Sequence, residues 1–280
     1  MPELPEVETI ARTLTPQVAG RCIKAVSLLS PKALQTGSEL MPRLEGAAIT
    51  GARRRAKLLL LDVRDSSAAP LILAFHLKMT GRLFVHPPET PPPKHTKLIL
   101  ELFAPDGTAT ESRLFFDDAR TFGYCRIMRP EDLPEWPFWA ALGPEPLEHN
   151  AGFLAARLEE RNGQIKSLLL NQNVIAGIGN IYADESLFRA GIHPERKSSS
   201  IARTDLETLM LKAQEVLREA IAACGSSIRD YRDAEGRAGA FQNSFMVYGR
   251  GGEPCRRCGK TLKTGRVAGR GTVYCRTCQQ

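Results

Sequence analysis

The sequence predicts an α+β multidomain protein: an N-terminal helix, an antiparallel β-sandwich or barrel, a helical region and a small metal-binding end. Three observations carry this. Short apolar segments separated by Gly, Pro and polar turns fill the chain from about residue 20 to 128. A proline-marked connector follows, and beyond it the hydrophobic period becomes helical. Four cysteines then stand in two pairs near the C-terminus. The chain of 280 residues is long enough for two domains or more. The expected division is 1–130 for the sheet domain, 131–150 for the connector, 151–245 for the helical domain and 246–280 for the cysteine-bearing end.

Residues 3 to 19 read as a helix, with Val7, Ile10, Ala11 and Leu14 on one face and Gly20 as its stop. Leu58 to Val63, Leu71 to Leu77, Leu98 to Phe103 and Leu114 to Phe116 read as strands, and Pro87 to Pro93 as a stiff surface loop. Pro130, Pro134, Pro137, Pro144 and Pro146 mark the connector. A long helix follows later: Thr204 with Glu207 reads as a capping box, Leu206, Leu209, Ala213, Val216, Leu217, Ala220 and Ile221 form its apolar face, and Gly225 is its stop.

Composition excludes wholesale disorder, because 42% of residues are hydrophobic and 25% charged. The net charge of +7 is concentrated: residues 250–280 hold eight Lys and Arg against the single acid Glu253, so the rest of the chain is neutral. A positive field at one end attracts a polyanion, and a phosphate backbone is the commonest such partner; a solvated basic tail is the alternative. No apolar run approaches the roughly 20 residues needed to cross a bilayer, and the acidic start Met1-Pro-Glu-Leu-Pro-Glu lacks the basic opening of a secretory signal, so the cytoplasm is the expected location.

Cys255-x2-Cys258 and Cys275-x2-Cys278, sixteen residues apart, match two knuckles presenting four thiolates to one zinc ion. A closed four-sulfur site leaves no open coordination position, so this zinc is structural rather than catalytic. Two disulfides would need an oxidising compartment, which the absent export signal argues against. Cys22, Cys125 and Cys224 are scattered as small buried hydrophobes are. Between the pairs, Gly265, Gly269 and Gly271 flank Arg270, and Thr272 to Tyr274 has strand character, which suggests a hairpin with an arginine at its tip. That guanidinium could fork onto phosphate oxygens or simply face solvent.

The N-terminus allows two readings. Pro2, Pro5 and the neighbouring acids suit a helix start. With Met1 removed, Pro2 also offers a secondary amine whose reference pKa is well below that of lysine, so on the order of 100-fold more of it is unprotonated and nucleophilic at neutral pH.

At this point the chain resembles a known family, the formamidopyrimidine-DNA glycosylases. The resemblance rests on MPELPEVET, Arg55-Ala-Lys57, His76-Leu-Lys-Met79-Thr-Gly81, Asp118-Ala-Arg120-Thr-Phe122-Gly123, Gly177-Ile-Gly-Asn180-Ile-Tyr-Ala-Asp-Glu, Val247-Tyr-Gly-Arg and the cysteine quartet, in family order across the whole chain. It implies an N-terminal β-sandwich, a helical domain with a helix-two-turn-helix motif, and a zinc finger. It implies a bifunctional glycosylase and abasic-site lyase of base excision repair, acting on 8-oxoguanine and formamidopyrimidines in double-stranded DNA. Such an enzyme would be a monomer, cytoplasmic and associated with the bacterial nucleoid.

Residue by residue, the resemblance makes Pro2 the nucleophile at the deoxyribose C1′, Glu3 the acid and proton shuttle, and Glu6 a group orienting the amine. Lys57, as the family's second basic catalytic residue, and Arg270 would join the catalytic set by holding phosphates of the damaged nucleotide, with Asn180 a further phosphate contact. Met79, Arg120 and Phe122 would fill the gap left by the extruded nucleotide. His76 and His95 are further expected DNA contacts. Ser226 to Phe241 would close on the extruded base, and Lys166 would approach the pocket. Two departures bear on specificity: Thr121 stands where many members carry a basic residue, and Lys97 near a position often held by histidine. Two rivals remain. An endonuclease VIII-like enzyme for oxidised pyrimidines is disfavoured by Leu4, where glycine is usual. A catalytically silent zinc-finger DNA binder is disfavoured by intact Pro2, Glu3 and Lys57.

Overall fold

The computed structural model describes residues 1–105, 111–228 and 231–280. The chain divides into two compact units, Met1–Ala140 with Cys224–Gly239, and Ala141–Ala223 with Ala240–Gln280. The segment 224–239, which lies inside the span 151–245, is therefore grouped with the first unit. The cause is bonding to the N-terminal helix: the Ser226 N–H donates to Glu6 Oε1, the Ala234 N–H to Thr13 Oγ1, and Gln17 Nε2 to the Ala234 carbonyl.

In the first unit, α1 (Leu4–Val18) lays Val7, Ile10, Ala11, Leu14 and Val18 into the core, a stripe at three- and four-residue spacing. Eight antiparallel strands follow: β1 (Cys22–Leu28), β2 (Ala48–Arg55), β3 (Leu58–Arg64), β4 (Pro70–His76), β5 (Gly81–His86), β6 (Thr96–Phe103), β7 (Ser112–Asp118) and β8 (Tyr124–Met128). Their order is β5-β7-β6-β1-β2-β3-β4-β8. β1 and β2 share only the pair Cys22↔Ala48, so the order folds there into the two layers of a β-sandwich. Side chains from both layers meet in one core: Phe75 of β4 and Phe116 of β7 pack edge to face, 5.3 Å between ring centroids.

The leucine run of β3 has no polar alternation because both of its faces are covered. Leu59, Leu61 and Val63 point into the sandwich, while Leu58 and Leu60 meet Ile72, Tyr124 and Met128 under Leu133 and Trp136. Leu133 belongs to a 3₁₀ turn, Pro130–Glu135, that leads past Trp136 into the short α2 (Pro137–Ala140).

In the second unit, α3 (Ala151–Glu159) is capped by the Asn150 side chain, which accepts the Phe153 N–H at 2.8 Å. α4 (Ile165–Leu170) and α5 (Asn180–Ala190) are joined by two turns over residues 171–179. Gln172 braces the second turn, accepting the Gly177 N–H at 2.9 Å and donating to the Ile178 carbonyl at 2.8 Å. Gly143 lies against this motif; a Cβ there would sit 2.7 Å from the Val174 carbonyl oxygen.

α6 (Arg203–Ala222) buries Leu206, Leu209, Ala213, Val216, Leu217 and Ala220 as its period predicts, but it starts earlier than the expected capping box. Ala202 is the extended residue at its start and Thr204 lies within the first turn, because Glu207 is drawn to the Arg203 guanidinium at 3.0 Å instead of reaching back. Among the three cysteines outside the quartet, Cys125 is buried, Cys22 half-buried and Cys224 exposed, so the expectation of burial fails for Cys224, whose φ of 58° puts it in the chain reversal after α6. β9 (Lys263–Val267) and β10 (Arg270–Tyr274) close the fold as a hairpin. Among the described residues no helix is long and apolar enough to cross a membrane.

Candidate active site

Pro2 is half-buried, and the next residue, Glu3, is enclosed at the start of α1. Glu3 and Glu6 form a reciprocal capping box: each side chain accepts the other's backbone N–H, the Glu6 Oε2 bond being 2.8 Å. The other oxygen of Glu6 accepts the Ser226 N–H at 2.8 Å, and the Tyr231 hydroxyl donates to the Glu6 carbonyl at 3.3 Å. One carboxylate thus joins the chain start to the segment after α6. Gly225 permits the approach: it has φ of 81°, and a Cβ there would lie 3.0 Å from Glu6 Oε1. Of the segment Ser226–Phe241 expected to close on a base, Arg229 and Asp230 lie outside the described residues.

Lys57 occupies a two-residue turn between β2 and β3, closed by the pair Arg55↔Leu58 and made tight by Ala56 at φ 52°. It is 6% exposed. His76, paired with Leu58 across the sheet, is 5% exposed and lies 5.6 Å from the Tyr124 ring and 5.8 Å from Phe138. Burial, with the Lys78 and Lys57 charges, pushes its pKa down to about 3. The ring is therefore neutral, and its Nδ1 accepts the Lys78 N–H at 3.2 Å. Little of His76 is left open to a ligand.

Met79, Arg120 and Phe122 are all exposed, Met79 by 41% and Phe122 by 56%. Their two turns are tied together: the Thr80 hydroxyl donates to Asp118, the Arg120 N–H donates to Thr80 Oγ1 at 3.1 Å, and the Gly123 N–H donates to Asp118 Oδ2 at 2.6 Å. The Arg120 guanidinium lies 5.1 Å from the Phe122 ring centroid. His95 is exposed beside this brace, its carbonyl accepting the Asp118 N–H. Lys97 does not share that surface; it is buried in β6. Four of the described non-glycine residues at positive φ adjoin expected site residues: Ala56 beside Lys57, Lys78 beside Met79, Thr121 between Arg120 and Phe122, and Ala268 near Arg270. Such conformations cost of order 1–3 kcal/mol each and persist where surrounding structure enforces them.

In the second unit Asn180 is the first residue of α5, and its Nδ2 donates to the Gly271 carbonyl at 2.9 Å. Arg270 follows a two-residue turn, Ala268-Gly269, with φ of 48° and 71°; it is the exposed hairpin-tip arginine that the glycine spacing predicts. Lys166 departs from expectation. It is fully buried, with Nζ 2.7 Å from Asp184 Oδ1 and 2.7 Å from Thr272 Oγ1, so it reaches no ligand-accessible surface. Burial raises the Asp184 carboxyl above the usual carboxylate range, and the Lys166 ammonium opposes that shift.

The four sulfurs of Cys255, Cys258, Cys275 and Cys278 lie within 4.8 Å of one another, with Cys255–Cys278 at 3.9 Å and Cys258–Cys275 at 3.5 Å. Zinc–sulfur bonds of about 2.3 Å in a tetrahedron give sulfur separations of about 3.8 Å, so the quartet fits one zinc ion.

Three family models cover the chain: "Formamidopyrimidine-DNA glycosylase N-terminal domain" matches residues 1–125, "Formamidopyrimidine-DNA glycosylase H2TH domain" residues 142–232, and "Zinc finger found in FPG and IleRS" residues 252–280. Formamidopyrimidine-DNA glycosylases of Nitratidesulfovibrio vulgaris and Desulfitobacterium hafniense are 44% and 43% identical to it, each alignment covering 100% of both chains. The chain belongs to the formamidopyrimidine-DNA glycosylase family. A solved glycosylase of this family, from Lactococcus lactis in complex with a Fapy-dG containing DNA, superposes with a TM-score of 0.88 at 34% identity over 100% of both chains. A structure of MutM in complex with carbocyclic 8-oxo-G containing DNA gives the same TM-score and identity.

The glycosylase carries one structural zinc in its C-terminal finger. Several residues that shape its site escape sequence reasoning. Thr80 and Asp118 brace the two exposed turns across 38 residues of chain, and Asp184 and Thr272 enclose Lys166. Glu185 is buried with its carboxylate accepting the Met246, Val247 and Tyr248 N–H groups at 2.9, 2.9 and 2.8 Å. The signal for Asp184 and Glu185 was present in two consecutive acids on a helix with no exposed face.

Proposed function

We propose that this glycosylase excises 8-oxoguanine and formamidopyrimidines from duplex DNA with the amine of Pro2 and then cleaves the strand at the abasic site. Met1 must first be removed. The Pro2 nitrogen lone pair then bonds C1′, the glycosidic bond breaks, and its electron pair leaves with the base, which takes up a proton. Ring opening, with Glu3 protonating O4′, gives an iminium between Pro2 and C1′. That cation acidifies the C2′ proton; its removal expels the 3′ phosphate by β-elimination, and a second proton loss expels the 5′ phosphate by δ-elimination. Hydrolysis of the remaining iminium releases Pro2.

The observation that supports this most is the enclosed Glu3, fixed by Glu6 at the residue next to the amine. Lys57, Asn180 and Arg270 are the phosphate-holding groups of this reading, and Met79, Phe122 and Arg120 the gap fillers. Extrusion of a nucleotide costs a few kcal/mol, and exposed apolar side chains on braced turns suit the task of repaying it. His95 and His76 are secondary contacts. The enzyme acts as a monomer on the DNA of the nucleoid.

The reading is tested by borohydride reduction with duplexes carrying 8-oxoguanine, thymine glycol or undamaged bases. The expected result is a covalent adduct formed fastest with 8-oxoguanine. A preference for thymine glycol would assign the enzyme to oxidised pyrimidines, and no adduct with any duplex would leave a protein that only binds.

A further inference from the structure

α5 carries more than the expected phosphate ligand. From its first residue onward, its polar side chains reach the backbone of the finger, and the contacts converge on the four residues Arg270–Val273. The Gly271 carbonyl accepts both Asn180 Nδ2 at 2.9 Å and Lys166 Nζ at 3.1 Å. Thr272 Oγ1 accepts from Lys166 Nζ at 2.7 Å and donates to the Arg270 carbonyl at 3.1 Å. The Val273 N–H donates to Asp184 Oδ2 at 3.2 Å, while Asp184 Oδ1 pairs with Lys166 at 2.7 Å. A continuous chain therefore runs from a buried carboxylate through a buried ammonium and a hydroxyl to the peptide carbonyl of Arg270 itself.

A buried ion pair gives little net stability, because desolvation offsets most of the attraction, so stability alone does not account for this arrangement. Its geometry does something the zinc does not. The cysteines fix the base of the hairpin, at residues 255–258 and 275–278, whereas Arg270 stands at the far end beyond the Ala268-Gly269 turn. A five-residue strand pair whose Lys263–Arg266 stretch is exposed would, on its own, leave that tip free to twist. The Arg270 side chain is exposed at this tip.

We propose that Asp184, Lys166 and Thr272 are positioning residues that fix the register and direction of the finger tip and so aim Arg270 at a DNA phosphate. The inference rests on the phosphate-binding role given to Arg270 above. It also gives Lys166 a place: its charge acts on the finger backbone, not on the base.

The test is the salt dependence of binding to a duplex carrying a tetrahydrofuran abasic analogue, measured with the zinc-loaded full chain and with zinc content checked for every variant. Losing one phosphate contact lowers the slope of log K against log salt by about 0.9. Arg270→Ala is expected to lower it by that amount. Thr272→Val, which keeps the branched shape but removes the hydroxyl, and the double replacement Lys166→Met with Asp184→Leu, which removes both charges together, are expected to retain zinc and to lower the slope toward the same value. Combining either with Arg270→Ala should add nothing further. Wild-type slopes in the zinc-retaining variants, or losses that add to that of Arg270→Ala, would overturn the positioning role. An unchanged slope in Arg270→Ala alone would instead overturn the phosphate role of Arg270, and the positioning inference with it.

Discussion

His76 shows how far burial can fix the chemical state of one residue. Its folded pKa is pushed to about 3, well below the reference value of about 6.5, because the ring is enclosed and faces the Lys78 and Lys57 charges. The unfolded chain therefore binds one more proton than the folded chain between those two values. Stability from this group is complete above about pH 6.5 and falls as pH drops toward 3, at up to about 1.4 kcal/mol per pH unit. Denaturant unfolding between pH 7 and 4.5 should show this slope, and His76→Gln should flatten it by about one proton. An identical slope in the variant would mean that other groups carry the acid sensitivity. Glu6 is fixed by geometry instead: one carboxylate oxygen accepts the Glu3 N–H and the other the Ser226 N–H.

At the level of elements, periodicity was sufficient wherever one face is buried and the other wet. α1 and the apolar face of α6 are legible for that reason, and β3, β4 and β6 because apolar residues fill most of each, interrupted only by Asp62 and Glu101. β1 and β2 are harder to read, being mostly half-buried and carrying Lys24 and three consecutive arginines. The start of α6 misleads because a local signal, Thr204 with Glu207, is outcompeted by an ion pair to Arg203. The motifs themselves are legible; the contacts that hold them in place are not, since Thr80 with Asp118 and Lys166 with Thr272 join positions far apart in the chain.

The finger is the element whose order depends on a ligand. Cys258 supplies one of four sulfurs, and a three-sulfur remnant holds zinc far less tightly. Cys258→Ser should therefore lose zinc and weaken duplex binding, read by metal release and by a binding titration. Retained zinc with wild-type affinity would show that the hairpin is held by its protein contacts alone, among them Arg257 stacked 4.6 Å from the Phe188 ring centroid.

Over the whole molecule, charge and chemistry are divided between the two units. The first is built around α1 and contains Pro2, Glu3, Lys57 and the exposed trio; the second contains Asn180, Arg270 and most of the net positive charge. A phosphate backbone is the ligand to which such a basic finger responds over distance, whereas the reaction needs only an amine and an acid at the chain start. The most direct measurement of that claim is peptide mapping of the borohydride-reduced complex with 8-oxoguanine DNA by mass spectrometry. The account predicts protein lacking Met1, with the sugar remnant on the nitrogen of Pro2. An adduct on a lysine, or full activity in protein that retains Met1, would contradict it.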